Sequence, residues 1–208
     1  PFEEMPSMVN PKSQVIFTAN HLPIGSWYPY LISTSCGEGP RAWRLRELLA
    51  SNRKFSVKDF HTKIHLDSVN PAVRDFVKLA TAVMREEGPI DPKIVPLIEA
   101  LKTCDFRLLT QEPIYPLLQS ILKVLQTQSK EGTPFRDHYG DGWNGLVWLL
   151  KNLSQQACQT GKTSKSPEIR CWLTDTFREA INLALQPSKP FLPVVHRMPY
   201  QDNLNHLG

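Results

Sequence analysis

The chain has 208 residues, of which 41% are hydrophobic, enough for one domain with its own core or for part of a larger one. Its 24 basic and 20 acidic residues give a net charge of +4, but the two signs are interspersed. No helix-turn-helix, zinc-finger or RNP pattern accompanies them, so we expect no nucleic-acid partner. A run of 18 apolar residues is also missing from the sequence, so we expect no membrane partner.

Four cysteines are spread along the chain without a C-x-x-C pair, which argues against a zinc or thioredoxin-type site. Buried free thiols are the expected state, although one disulfide stays possible among Cys36, Cys104, Cys158 and Cys171. His61 and His65 stand four positions apart and so share a helix face, where two imidazoles can bind a metal. A third ligand nearby in sequence is missing, so we expect a solvated helix face and no metal site.

The first predicted element is a strand over residues 15–19, a nearly continuous apolar run that suits a strand buried on both faces. Asn20 follows at the strand end. Asparagine is a common turn residue, and its amide is also a suitable hydrogen-bond donor for an oxyanion. The irregular stretch over residues 23–39 carries three aromatic side chains that either line a binding pocket or anchor the loop to the core, namely Trp27, Tyr28 and Tyr30.

Helical signals dominate from Pro40 onward. Pro40 suits the first helical position, and apolar residues then recur at helical spacing at Ala42, Leu45, Leu48 and Leu49. Arg41 falls in the first turn, where a cation is mildly unfavourable to the helix dipole, which indicates a purpose outside the helix. A capping-box pattern over residues 56–59 predicts a second helix, with one face formed by Val57, Phe60 and Ile64.

Start and stop residues predict the later helices. Asn70-Pro71 opens a third helix that Gly88-Pro89 ends, and Pro96 and Pro116 each suit the first turn of another. Polar stretches over residues 128–142 and 159–166 are expected to be loops on either side of a helix over residues 143–156. The last helix begins at Ser166-Pro167 and is stopped by Pro187, after which residues 191–208 start a further segment.

Three stretches of the sequence together resemble the β-chain of the penicillin acylase family. The run from Asn10-Pro11 through Thr18-Ala19-Asn20 is similar to that family's N-P-x-x-G-x-I-x-T-A-N pattern, with Gln14 at the glycine position. A Tyr28-Pro29 pair and the block Arg41-Ala42-Trp43-Arg44-Leu45-Arg46-Glu47-Leu48-Leu49 match the two motifs that follow. The segment around His196-Arg197 resembles a late family segment.

The resemblance implies an α+β chain, a predominantly helical fragment with few strands, taken from an αββα N-terminal-nucleophile hydrolase. We expect residues 1–39 to hold a strand and an active-site loop, residues 40–190 to be helical, and residues 191–208 to begin a truncated segment. The family's nucleophile is a serine at the start of the mature β-chain, which uses its own α-amine as base. Because the sequence starts at Pro1 and Ser7 lacks the processing context, we expect an internal piece that is inactive alone.

By the same resemblance, Asn20 donates a hydrogen bond to the tetrahedral oxyanion and Arg41 orients both that amide and the nucleophile. The aromatic residues of the loop, Trp27, Tyr28 and Tyr30, are then substrate-binding candidates. The substrate is a linear carboxamide with an apolar acyl group, of the penicillin, cephalosporin or N-acyl homoserine lactone type. The protein partners are the α-chain and the remainder of the β-chain of one precursor, in a periplasmic or extracellular setting.

No cofactor is expected, although the resemblance leaves a family calcium possible. The family commonly binds a structural calcium through a carboxylate soon after the Tyr-Pro pair, but the matching positions here are Leu31, Ile32 and Ser33, which carry none. Two other readings of the sequence stay open. One is a non-catalytic helical binding or scaffold module in which Asn20 merely caps a turn, and the other is a helical protein that binds anionic partners through its positive charge.

Overall fold

The computed structural model of the chain describes residues 2–22, 24–25, 27–32, 39–50, 54–131 and 142–186. Within these ranges the chain is mostly helical, as predicted. A short 3₁₀ turn at Phe2–Glu4 precedes an irregular segment, and helix α1 (Pro40–Leu49) begins the helical region. Helix α2 (Val57–Asp59) continues as a π-helical stretch (Phe60–His65). Helices α3 (Pro71–Glu86), α4 (Val95–Thr103), α5 (Tyr115–Glu131), α6 (Gly142–Thr160) and α7 (Pro167–Leu185) follow.

Helices α3, α5, α6 and α7 pack against one another and form the core. Phe76 of α3 lies near its centre, with the rings of Trp172 and Phe177 of α7 at 5.8 and 6.4 Å. The largest fully buried side chains all come from these four helices, for example Phe76, Leu118, Ile121, Leu125, Leu146, Leu150, Leu173 and Phe177. Helix α1 packs against α3 on the outside of this bundle, so α3 holds α1 in position.

The predicted helix starts are confirmed by their capping bonds. Ser56 Oγ accepts a hydrogen bond from the Asp59 backbone N–H, and the Asp59 carboxylate accepts one from the Ser56 N–H, both at 3.1 Å. The Asn70 side chain caps α3 by accepting from Ala72 N–H at 3.0 Å. These bonds satisfy backbone donors that the first helical turn leaves without an intrahelical partner.

Two predicted loop boundaries are wrong because helices run further than their polar sequences indicate. Helix α5 includes residues 128–131, and α6 continues to residue 160. Gln128 Oε1 accepts a hydrogen bond from the Trp172 indole N–H at 3.0 Å, and its amide lies 3.2 Å from Thr176 Oγ1. This polar residue therefore joins two helices, a tertiary role that local composition does not reveal.

The strand predicted over residues 15–19 is also wrong. The segment is irregular, and Ile16 is 68% exposed rather than buried. In the described part of the chain, the backbone groups of Ile16, Phe17 and Thr18 have no hydrogen-bond partner, and the only β-pairing is an isolated bridge between Val69 and Arg107. An apolar run becomes a strand only where a neighbouring backbone completes the ladder, and the described residues supply none here.

Three of the cysteines lie in the described ranges and are free thiols. Cys158 and Cys171 are exposed, so the expectation that they are buried is wrong; Cys104 is half-buried, and burial raises the pKa of its thiol. Cys36 and the predicted tail segment, residues 191–208, lie outside the described residues, and the division of the chain at residues 39 and 190 stays a prediction. None of the helices in the described ranges combines the length and apolar content required to cross a bilayer.

Candidate active site

Asn20 and Arg41 meet in the structure although 21 positions separate them. An Nη2–H group of Arg41 donates a short hydrogen bond to Asn20 Oδ1. Because a guanidinium carries only donors, it must hold the amide by its oxygen, and the Asn20 Nδ2 hydrogens then point to other positions. In the described part of the chain no acceptor takes them. Both side chains are exposed, so the free end of the amide is accessible.

The backbone turn at Asn20 is of the left-handed type, with φ at 59°. Asparagine tolerates this conformation better than most residues. His21 braces the same turn: its Nδ1 accepts a hydrogen bond from the Ala19 N–H at 3.2 Å, and its ring lies 5.3 Å from the Phe17 ring. The structure therefore gives His21 a structural contact within the turn.

Gln14 also has a left-handed backbone, with φ at 55°. The family pattern has glycine at this position, and glycine is the residue that adopts positive φ without steric cost. A 2.8 Å hydrogen bond from the Gln14 N–H to the Pro11 carbonyl closes the turn over residues 11–14. Glutamine therefore adopts the positive φ of this turn at some cost in backbone strain.

Helix α1, which carries Arg41 in its first turn, is fixed to the bundle by a network of charged side chains. Arg44 makes two 2.9 Å hydrogen bonds to the Asp67 carboxylate, and Arg74 of α3 makes two, at 2.7 and 2.8 Å, to the Glu47 carboxylate. Glu47 also accepts from Arg44 at 3.1 Å. Paired hydrogen bonds of this kind define direction as well as distance, so they fix the rotation of α1 about its own axis.

The network shifts the ionisation of its members. Burial alone would raise the pKa of Glu47, but hydrogen bonds and charge from Arg74 and Arg44 outweigh it, so the Glu47 pKa lies below its ordinary value. The hydrogen bond with Asp67 raises the pKa of Arg44, and the one with Glu47 raises the pKa of Arg74. Arg74 also lies over the Trp43 ring, with its guanidinium carbon 5.9 Å from the ring centre.

The sequence analysis named Asn20 and Arg41 but missed this support. Arg44 and Glu47 stand three positions apart on a predicted helix, which was a usable signal. Arg74 lies 27 positions beyond Glu47 in sequence, so no local pattern could join the two.

The three aromatic candidates form a cluster of rings that meet edge to face. Tyr28 contacts Trp27 and Tyr30 edge to face, at ring distances of 5.8 and 5.7 Å. Its hydroxyl donates to the Glu4 carbonyl at 2.8 Å, and a hydrogen bond with Glu4 raises the pKa of Tyr30. Trp27 is 74% exposed, so this aromatic cluster is open to solvent rather than packed into the helical core. The role of the three residues in substrate binding stays a prediction.

The described residues contain no group of three or more His, Cys, Asp or Glu side chains that could hold a metal ion. The rings of His61 and His65 are stacked 6.2 Å apart on an exposed face. Leu31 and Ile32, which follow the Tyr-Pro pair, have exposed hydrocarbon side chains and offer no carboxylate to a calcium ion, so the expectation about cofactors stays a prediction. Ser33 lies outside the described residues.

Comparison with known proteins decides the family. The sequence model described as penicillin amidase matches residues 1–197. The chain belongs to the penicillin amidase family. Penicillin acylase 2 proenzyme of Pseudomonas sp. (strain SE83) is 34% identical over 73 residues, which are 35% of this chain and 9% of that relative. The chain thus spans a small part of the length of the curated relative that it matches, and the resemblance seen in the sequence is confirmed.

Proposed function

We propose that this chain is part of an amidohydrolase that cleaves a linear carboxamide carrying an apolar acyl group, with Asn20 as an oxyanion donor. Family membership supports an acylase-type hydrolase. The observation that carries the residue assignment is the Arg41–Asn20 hydrogen bond, because it holds the amide by its oxygen and leaves its N–H groups available. The αββα architecture of N-terminal-nucleophile hydrolases is part of the same proposal.

In the proposed reaction, a serine at the start of the mature β-chain, outside this sequence, attacks the amide carbon. The serine proton passes to the α-amine of the same residue, and the carbonyl oxygen becomes an oxyanion that accepts a hydrogen bond from Asn20 Nδ2. Collapse of the tetrahedral intermediate breaks the C–N bond, and the α-ammonium returns its proton to the leaving amine. Water then hydrolyses the ester by the same steps and releases the carboxylic acid.

Arg41 is proposed to orient the Asn20 amide and the nucleophile, and Trp27, Tyr28 and Tyr30 to contact the acyl group. Penicillins, cephalosporins and N-acyl homoserine lactones are the candidate substrate types. The proposed partners are the α-chain and the remainder of the β-chain from one precursor, and no cofactor takes part in the reaction as proposed. Selectivity among acyl groups depends on pocket walls that other segments largely supply.

The proposal is tested with the complete processed enzyme and one substrate of each type, by measuring release of the free amine. Hydrolysis of at least one amide, abolished when the α-amine of the terminal serine is acetylated, is the expected result. A protein whose terminal serine is shown to be free and that hydrolyses none of the three substrates would contradict the proposal. Hydrolysis that survives acetylation would contradict the mechanism.

A further inference from the structure

Helix α1 carries Arg41 in its first turn, but few apolar side chains hold it to the bundle. Of its ten residues, only Ala42 and Trp43 are buried. The alanine side chain is a single methyl group, so Trp43 is the one large side chain of α1 that is fully packed inward. A helix with a broad apolar stripe is held by many interlocking side chains. Because α1 has only two such contacts, its rotation about its own axis depends on polar contacts.

Two carboxylate groups make those polar contacts at different points along α1. Glu47, which belongs to α1, accepts two hydrogen bonds from Arg74 of α3, at 2.7 and 2.8 Å. Asp67, in the segment before α3, accepts two from Arg44 of α1, both at 2.9 Å. Each pair fixes direction as well as distance. Since the two pairs lead from α1 to two different parts of the chain, they resist its rotation together.

The partners of these carboxylates are themselves held in place. Arg74 also donates to Asp75 at 2.6 Å, and its guanidinium carbon lies 5.9 Å from the centre of the Trp43 ring. The side chains of Arg74 and Asp67 are only 16% and 12% exposed, so water and salt screen their charges less than those of a surface pair. The α1 network defined by these contacts consists of Arg44, Glu47, Asp67 and Arg74.

A small rotation of α1 is enough to misplace Arg41, which lies three positions before Arg44 on the same helix. The surface of a helix is about 5–6 Å from its axis, so a rotation of about 10° moves a surface group by about 1 Å. A hydrogen bond lengthened by that much falls outside the normal donor–acceptor range. A misplacement of about 1 Å in an active site can cost about 10²-fold in rate.

From these contacts we infer that Glu47 and Asp67 are positioning residues for amide hydrolysis, which hold the Arg41 guanidinium against Asn20 through helix α1. In the described part of the chain, both carboxylates bond to arginines of the α1 network and neither bonds to Asn20 or Arg41. They therefore act on the reaction by setting where α1 places Arg41. Their role rests on the proposed function, because that function assigns Arg41 and Asn20 to the reaction.

The kinetics of the complete processed enzyme test this role. Glu47→Gln and Asp67→Asn are each expected to lower kcat about tenfold and to leave KM within about twofold, because a misaligned oxyanion donor weakens binding of the transition state rather than of the substrate. Glu86→Gln is the matched control. It removes a 2.6 Å ion pair with Arg170 that also joins two helices, at the other end of α3 and roughly 18 Å from Arg74, and should leave kcat within about twofold. A wild-type kcat in both network variants of an active enzyme would overturn the inference.

A double-mutant cycle separates positioning from a general effect on folding, with kcat expressed per folded enzyme as measured by circular dichroism. In an Arg41→Ala background no guanidinium is left to align, so Glu47→Gln should change kcat by less than about twofold. A tenfold loss in this background as well would show that Glu47 acts without Arg41, and the inference would be wrong. If Arg41→Ala does not fold, Asn20→Gly serves as the background with the same expectation, because it removes the amide that Arg41 holds.

Crystal structures of the complete protein test the positioning without any measurement of turnover. With α3, α5, α6 and α7 superposed, we expect the Arg41 guanidinium of Glu47→Gln to lie about 1 Å from its wild-type place and to lose its hydrogen bond to Asn20. In Glu86→Gln both should be unchanged. A wild-type protein that hydrolyses no amide would refute the proposed function, and this comparison would still report on the α1 network. An Arg41 guanidinium that keeps its place in Glu47→Gln would overturn the inference even in an active enzyme.

Discussion

The guanidinium of Arg41 holds the side-chain amide of Asn20 by its oxygen, across 21 positions of sequence. This contact joins the irregular N-terminal segment to helix α1. It also selects which end of the amide stays free, since a donor-only group can bind only the acceptor end. An asparagine oriented in this way presents N–H groups, which is what stabilisation of an oxyanion requires.

Arg41→Lys tests whether the orientation of Asn20 matters. Lysine keeps the charge but loses the planar fork, so the amide is held less firmly. In the complete enzyme we expect kcat to fall by about 10–100-fold, in line with the cost of a small misplacement of catalytic groups. Arg46→Lys, on the same helix and also exposed, serves as the control and should leave kcat within about twofold. A wild-type kcat for Arg41→Lys would contradict the orienting role.

Glu47→Gln tests the network that supports α1. Removal of this carboxylate leaves Arg74 and Arg44 partly buried with fewer acceptors, so we expect a loss of about 2 kcal/mol in the free energy of unfolding. Glu99→Gln is the control, because the Glu99–Lys102 pair is an exposed one, and it should cost less than about 0.5 kcal/mol. Equal losses in the free energy of urea unfolding for the two variants would show that the network stabilises the fold no more than an exposed ion pair does.

The contribution of Glu47 should also depend on pH. Its pKa is lowered in the folded chain from an ordinary value of 4.5, so the folded state favours the charged form. The stabilisation is then fully present above that value and is lost as the pH falls through the lowered folded pKa. We expect the stability difference between wild type and Glu47→Gln to shrink as the pH is lowered from about 6 to about 3. A difference that stays constant or grows would contradict the assignment.

Gln14→Gly tests the strained turn. A left-handed backbone costs a residue with a Cβ about 1–2 kcal/mol, and the extra entropy of glycine in the unfolded chain offsets about 0.5–1 kcal/mol of the gain. We therefore expect a net stabilisation of about 0.5–1 kcal/mol. Lys12→Gly, at a neighbouring position whose φ is not positive, should instead destabilise. Thermal unfolding that places both variants below wild type would show that φ at Gln14 carries no strain.

Hydrogen exchange tests the corrected description of residues 15–19. The amides of Ile16, Phe17 and Thr18 have no acceptor in the described part of the chain, so they should exchange at close to unstructured rates. The buried α3 amides of Phe76 and Ala80 should be among the slowest. Comparable protection of the two sets in the isolated chain would mean that the predicted strand does form.

Much of the helical region could be predicted because its signals are local. Ser56, Asn70 and Ser166 are caps that act within three residues, and Pro40, Pro71 and Pro167 occupy first turns that need no N–H. The predictions that were wrong concern residues whose structure depends on partners far away in sequence. Gln128 lies within a helix, where its side chain accepts a hydrogen bond from the Trp172 indole N–H across the bundle. Residues 15–19 lack a strand because no described backbone pairs with them.

The candidate site divides in the same way. Asn20 and Arg41 were found from a family pattern, which carries information about distant contacts that periodicity does not. The pairing of Glu47 with Arg74, 27 positions apart, is visible only in the folded structure. This pairing arises from the way α1 packs on α3, and no local sequence pattern encodes that packing.

Asn20→Gly in the complete enzyme tests the central claim most directly. Glycine accepts the left-handed backbone at this position, so the turn is kept while the amide is removed. Asn10→Gly is the matched control, since Asn10 also has a positive φ, 46°, in the same segment. We predict that kcat for amide hydrolysis falls about 10²–10³-fold in Asn20→Gly and stays near wild type in Asn10→Gly. An unchanged kcat in Asn20→Gly would reduce Asn20 to a turn residue and contradict the account.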